Sequence, residues 1–151
     1  MLPKHPNCTG CQWETKGQGF VPGKGPLTSQ VAILGQGPGR DELSRGEPFV
    51  GAAGRRLDIW LAKASIPRSL CWMGNGMNCR YKVRGKDNAP AKAIVECYQR
   101  HWGPILNEMP NLTWVVSLGG EVGKFLLGSW YSDRAAGSVI EVTLPPLGDR
   151  L

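Results

Sequence analysis

Residues 31–39 read VAILGQGPG, and this stretch decides the fold. Val31, Ala32, Ile33 and Leu34 form a short unbroken apolar run, the pattern of a strand buried on both faces. Gly35-Gln36-Gly37-Pro38-Gly39 then makes a sharp turn that neither a helix nor a strand would tolerate. Beyond it, residues 52–64 (AAGRRLDIWLAKA) place Leu57, Trp60, Leu61 and Ala64 at i, i+3, i+4 and i+7. That period predicts an amphipathic helix, with Ile66-Pro67 following its end.

The same alternation continues toward the C-terminus. Residues 69–73 predict a second short strand, leading into Gly74-Asn75-Gly76. Residues 80–89 form a basic polar loop carrying Arg80, Lys82, Arg84 and Lys86. Pro90 sits where a helix should start, with Ile94, Cys97, Tyr98 and His101 on one face of it. A third apolar run at 113–118 ends in Gly119-Gly120 and passes into a helix carrying Val122, Phe125 and Leu126. Strands alternating with helices at this spacing predict parallel βαβ units in a three-layer α/β/α fold with a mostly parallel central sheet. In open α/β sheets the ligand lies at the carboxyl ends of the strands, so the turn at residue 35 is the first place to expect a site.

The chain has 151 residues, enough for one domain with a real core, which here is expected to span 1–151. Its first 29 residues are rich in Pro, Gly and Lys without an apolar period, and predict an irregular arm. The net charge of +6 and a pI near 9.3 point to a polyanionic partner, nucleic acid being the usual one, against the plainer reading of solubility charge. No apolar run is long enough for a membrane span, and residues 1–7 lack the apolar stretch of a secretion signal. The expected compartment is a reducing cytoplasm, and the expected state a monomer, with a partner protein as the alternative.

Five cysteines, Cys8, Cys11, Cys71, Cys79 and Cys97, are an odd number in a chain without an export signal, which argues against a disulfide framework. Cys8 and Cys11 form a C-x-x-C in the arm, a spacing that lets two thiolates bind one centre. With Cys79 and Cys97 they would make four ligands, a count that suits zinc and an iron–sulfur cluster equally; buried cysteines acting as small hydrophobes are the plainer reading. Such a centre would clip the arm to the loop and helix around Cys79 and Cys97. Cys71, inside an apolar strand, is the expected non-ligand.

Several motifs in order carry a resemblance. Residues 33–54, ILGQGPGRDELSRGEPFVGAAG, are similar to the first motif of the family-4, thermophile-type uracil-DNA glycosylases, G-E-x-P-G followed by G-x-P-F-V-G-x-A-G. GNGMNCR at 74–80 resembles that family's T-N-x-x-K-C-R, IVEC at 94–97 its E-I-x-x-C helix, and VVSLGGEVGKFLLG at 115–128 its strand, A-L-G turn and following helix. The resemblance implies uracil-DNA glycosylase activity in base-excision repair: uracil flipped from DNA and its N-glycosidic bond hydrolysed. It implies a [4Fe–4S] cluster, structural in role, on Cys8, Cys11, Cys79 and Cys97. It makes Phe49 the aromatic that stacks on uracil and Asn75 the residue that reads its edge, since a carboxamide offers a donor and an acceptor together.

Gly35, Gln36, Gly37, Pro38 and Gly39 would form the pocket floor, with Gly35, Gln36 and Gly37 against the uracil, since small residues there let backbone N–H groups approach the base. Gln36, Asp41 and Glu42 are the catalytic candidates; Gln36 stands where the family carries Glu. Arg80, Lys82, Arg84 and Lys86 would contact DNA phosphates. The family's H-P-S or H-P-A motif, with its histidine, is absent from this sequence, whose histidines are His5 and His101. The chain is accordingly expected to be C-terminally short relative to the family. The competing expectation is a catalytically impaired glycosylase-like domain that binds DNA or protein, as in a phage or mobile-element protein.

Overall fold

The computed structural model describes residues 6–14, 16–82, 89–128, 137–141 and 143–147. Three strands form a parallel sheet in the order β3-β2-β5: β2 is Val31–Gly35, β3 Cys71–Asn75 and β5 Trp114–Leu118. Preceding β2 is β1, Gly17–Phe20, which pairs antiparallel with β4, Cys79–Tyr81, as a separate ribbon. The helices are α1 (Arg40–Arg45), α2 (Ala52–Lys63), α3 (Ala91–Cys97), α4 (Gly103–Glu108) and α5 (Gly120–Leu127), with a π-helical turn, Tyr98–Trp102, joining α3 to α4.

The sheet has a helical layer on each face because its side chains alternate with a period of two. Ala32, Leu34 and Trp72 point to one side and pack with Ile94, Tyr98, Trp102 and Val122 from the α3–α5 layer. Ile33, Cys71 and Met73 point to the other and meet Leu57 and Leu61 of α2. Each fully buried aliphatic or aromatic side chain contributes roughly 1.5–3 kcal/mol relative to exposure. Tyr98, Trp102 and Phe125 add tilted and edge-on ring contacts with centroids 4.6–5.7 Å apart. The Trp102 indole N–H donates to the Gly76 carbonyl at 3.0 Å, which ties the turn after β3 to the helical layer.

Strand register does the positioning. Gly35 lies opposite Asn75 on β3 and opposite Leu118 on β5, so the turns after all three strands open at one edge of the sheet. The continuous apolar run of β2 is explained by its central place, with both neighbours parallel and both faces covered.

The structure departs from the sequence reading in four places. The arm is not wholly irregular, since 17–20 form β1; Gly17 is required there, because a Cβ would stand 2.6 Å from Cys79 Cβ. The basic segment begins as strand, not loop, with Arg80 inside β4. β3 runs two residues later than expected, after a 3-10 turn at Arg68–Leu70. Finally, Trp60 is 52% exposed although its spacing suggested core; the buried face of α2 is Gly54, Leu57 and Leu61. Arg84 and Lys86 lie outside the described residues.

Candidate functional site

A cavity of about 880 Å³ opens at the carboxyl ends of the strands. Gly35, Gln36, Gly37, Phe49 and Asn75 line it, as do both carboxylates, Asp41 and Glu42, and two of the basic residues, Arg80 and Lys82. Residues from four separate segments thus share one concave surface. Arg40, Arg56 and Trp60 also line it and were missed by sequence reasoning. The signal was present for two of them: Arg56 and Trp60 are four apart on α2 and must share a face.

Gly35 has a specific steric duty. A Cβ there would stand 2.7 Å from Asn75 Oδ1 and 2.9 Å from Phe49 Cζ, so only glycine lets these two side chains close on the end of β2. Asn75 is buried, and its Nδ2 has no hydrogen-bond partner among the described residues. A buried donor left unpaired costs about 1–3 kcal/mol. Such a group at the wall of a cavity is poised for an acceptor supplied by a ligand.

Phe49 is held in an unusual backbone conformation, φ +56°, in the left-handed region that a bulky residue rarely adopts. Two clamps hold it. From one side the Glu42 carboxylate accepts three backbone N–H bonds, from Gly39 (3.0 Å), Val50 (2.9 Å) and Gly51 (2.7 Å). From the other, Arg68 Nη2 donates to the carbonyls of Pro48 (3.2 Å) and Phe49 (2.9 Å), while its Nη1 pairs with Asp58 Oδ1 at 2.5 Å. Both oxygens of Glu42 are therefore engaged in organising the loop. Asp41, exposed at the cavity, makes no comparable backbone contacts among the described residues and is the carboxylate better placed to face a ligand.

Cys8 and Cys11 of the arm, Cys79 of β4 and Cys97 of α3 lie close enough to influence one another. Cys8 and Cys97 are buried, Cys11 and Cys79 partly so, and all are free thiols. Cys8 Sγ lies 3.3 Å from His101 Nε2, across 93 positions of sequence. A hydrogen bond with the Cys8 thiol, then burial, then the charges of Cys97, Cys8 and Cys11, push the Cys79 thiol far above its ordinary value. Burial pushes Cys97 up to about 12, against a lowering hydrogen bond from the Asn78 backbone and with further raising by Cys11 and Cys8. Burial raises Cys11 as well, while the Trp13 backbone N–H, 3.4 Å from its sulfur, lowers it. Among the described residues no group of three or more His, Cys, Asp or Glu is arranged as a ready ion site. The donor set nonetheless suits a thiolate-bound centre: four mutually repelling sulfurs need a cation to ionise together, and backbone N–H groups already address two of them. Cys71, on the far face of the sheet, takes no part and donates toward the Pro67 carbonyl at 3.7 Å.

This electrostatic arrangement predicts a pH dependence for chelator-treated protein. The folded thiols of Cys11, Cys79 and Cys97 are pushed above the ordinary 9.0, Cys97 to about 12, so the fold favours their neutral form. The resulting stability is complete below the unfolded value and is lost as pH climbs from 9.0 toward 12. Urea midpoints of the metal-free chain are expected to fall across that window, and Cys97→Ser to flatten the fall; a flat profile in the parent chain would contradict the crowding.

The family model described as the uracil DNA glycosylase superfamily matches residues 22–146. A type-4 uracil-DNA glycosylase of Archaeoglobus fulgidus is 38% identical over 141 residues, 90% of this chain and 69% of that protein. Type-4 uracil-DNA glycosylases of Thermotoga maritima and Pyrobaculum aerophilum are each 36% identical over shorter stretches, covering 48% and 49% of this chain and 38% of their own lengths. The chain belongs to the uracil DNA glycosylase superfamily, and within it to the type-4 uracil-DNA glycosylases. Among the described residues no helix is long and apolar enough to cross a membrane.

Proposed function

We propose that this chain is a uracil-DNA glycosylase of base-excision repair, a hydrolase that takes uracil out of the DNA stack and breaks its N-glycosidic bond. The observation that carries the reading is the unpaired, buried Asn75 Nδ2 beside the Phe49 ring, at the glycine-lined end of β2. A flipped base needs a flat surface and an edge reader, and extruding it costs roughly a few kcal/mol that the pocket must return. Phe49 supplies the flat surface. Asn75 Nδ2 donates to uracil O4 while Oδ1 accepts from N3–H. Cytosine presents an amino donor in place of O4, so it would leave the Asn75 donor unpaired and face it with a like group.

Chemistry then follows from the floor and rim. As the C1′–N1 bond breaks, its electron pair leaves with uracil, and backbone N–H groups of the 35–39 turn stabilise that charge. The sugar becomes cationic at C1′. Asp41 stabilises the cation and orients a water; as the water oxygen bonds to C1′, its proton passes to the Asp41 carboxylate and from there to the departing uracil anion through solvent. Gln36 contributes a neutral amide at the floor, where it hydrogen-bonds without adding charge. Glu42 acts through the loop, by holding Phe49. Arg80 and Lys82, with Arg84 and Lys86 of the same segment, contact the phosphates and make binding salt-dependent.

Cys8, Cys11, Cys79 and Cys97 would hold a [4Fe–4S] cluster. A cluster held there would have a structural role, the four cysteines tying the arm to β4 and α3. Free thiols of this kind persist in a reducing compartment such as the cytoplasm.

The test is uracil release from single- and double-stranded DNA, read as strand cleavage at the resulting abasic site. The iron-reconstituted chain is expected to release uracil, and a Phe49→Ala, Asn75→Ala double variant to lose release while keeping its fold. If the parent releases no more uracil than the double variant, the enzyme reading is wrong, and salt-dependent binding alone would assign the chain as a DNA-binding domain.

A further inference from the structure

We propose that Trp60, with Arg56 one turn before it, is a nucleobase-stacking platform on the rim of the cavity, taking a base that flanks the extruded nucleotide. The identity of that occupant rests on the glycosylase reading above; the platform itself rests on geometry. Helix α2 buries Leu57 and Leu61 against the sheet and Gly54 against the Phe49 loop, and turns Trp60 away, leaving half its surface in water. A single exposed hydrophobic side chain is ordinary; this indole is informative because it borders the cavity. Ile59 beside it is equally exposed at 56%, but only Trp60 borders the cavity.

Its neighbours define the ligand class. Arg40, Arg56, Arg80 and Lys82 share the cavity wall with Trp60, against Asp41 and Glu42. Four cations outnumber these two carboxylates, and Glu42 is turned to backbone donors, so the rim carries net positive charge around a flat π-face. A planar ring beside guanidinium groups is the arrangement that binds single-stranded nucleic acid, with the ring stacking on a base and the cations following the phosphates. A base extruded into the Phe49–Asn75 end of the cavity leaves its strand crossing this rim. Its unstacked neighbour loses a stacking partner, and the Trp60 face can replace it. The contact needs no base identity, since every base has a π-face, and so it adds affinity without altering uracil selection.

The experiment uses the full chain and a fluorescently labelled single-stranded oligonucleotide containing one uracil, read by anisotropy, with thermal midpoints recorded for each variant. Trp60→Ala is expected to weaken binding about tenfold without lowering the midpoint, and Trp60→Phe to restore most of the affinity. Arg56→Gln should lower the salt dependence by about one phosphate contact. In release assays Trp60→Ala should raise KM by a larger factor than it lowers kcat. Unchanged binding by Trp60→Ala overturns the platform and assigns the exposed ring to a protein contact; so does a loss that Trp60→Phe does not rescue. The two readings separate cleanly. If the parent releases no uracil but Trp60→Ala still weakens binding with Phe rescue, the glycosylase reading fails and the platform stands. If the parent releases uracil and Trp60→Ala changes neither binding nor KM, the platform alone fails.

Discussion

Gly54→Ala is expected to destabilise the fold by about 3 kcal/mol and to abolish uracil release, although it adds a single methyl group in a helix that would otherwise welcome alanine. By propensity alone, glycine to alanine inside α2 should stabilise by roughly 1 kcal/mol. Packing reverses the sign. A Cβ on Gly54 would fall inside the contact distance of the Phe49 carbonyl carbon and oxygen. That carbonyl cannot give way alone, because Arg68 Nη2 holds its oxygen at 2.9 Å from the other side. Relief requires moving the whole 48–51 turn, and with it the Phe49 ring and the Gly51 N–H that Glu42 holds. For a domain of this size 3 kcal/mol lowers the melting midpoint by roughly 6–12 °C. Calorimetry and the release assay on the same preparation check both parts; an unshifted midpoint with full release would show that Gly54 does not abut the carbonyl.

The contrast between Gly54 and Gly35 shows what was legible in the sequence and what was not. Gly35 terminates an unbroken apolar run and opens a G-x-G-P-G turn, so a strand end and a site could be read from neighbours within five positions. The three-layer sheet follows from the same local pattern, since Ala32 and Leu34 go to one core and Ile33 to the other. Gly54 reads only as a weak helix residue, because the carbonyl it accommodates is contributed by a loop.

Trp60 fails for a related reason. An apolar period counts an indole as core, yet the helix is seated by a small residue, Gly54, which brings the Leu57–Leu61 side inward and leaves Trp60 at the rim. β1 was illegible because GQGF carries one apolar side chain and its partners Cys79 and Tyr81 lie 59 and 64 positions on. A still longer separation, 93 positions, hides the approach of Cys8 to His101. Glu42 was half legible: G-x-x-E at 39–42 is a helix-start pattern, and its bond to the Gly39 N–H is local. Its two longer reaches, to Val50 and Gly51, are what convert a cap into a clamp.

Arg68→Met is the companion prediction, removing the clamp's other half while keeping the apolar stem of the side chain. The guanidinium meets two backbone carbonyls and Asp58, and it is about one-third exposed, with a side-chain relative accessibility of 36%. The Asp58 pair is half in water and contributes little. The two carbonyl bonds matter more, because they hold a residue whose left-handed backbone costs of order 1–3 kcal/mol. Without them Phe49 is expected to relax toward φ below zero, swinging its ring off the Gly35–Asn75 wall. A displacement of about 1 Å at a stacking group can cost on the order of a hundredfold in rate, and that is the expected loss of release, with stability reduced by only about 1–2 kcal/mol. Arg68→Lys separates charge from shape: one ammonium cannot serve Pro48 O, Phe49 O and Asp58 with the planar fork's geometry, so it should recover stability more than activity. Release by Arg68→Met at the parent rate would sink the clamp, leaving Glu42 and the Gly54 contact as the whole support of Phe49.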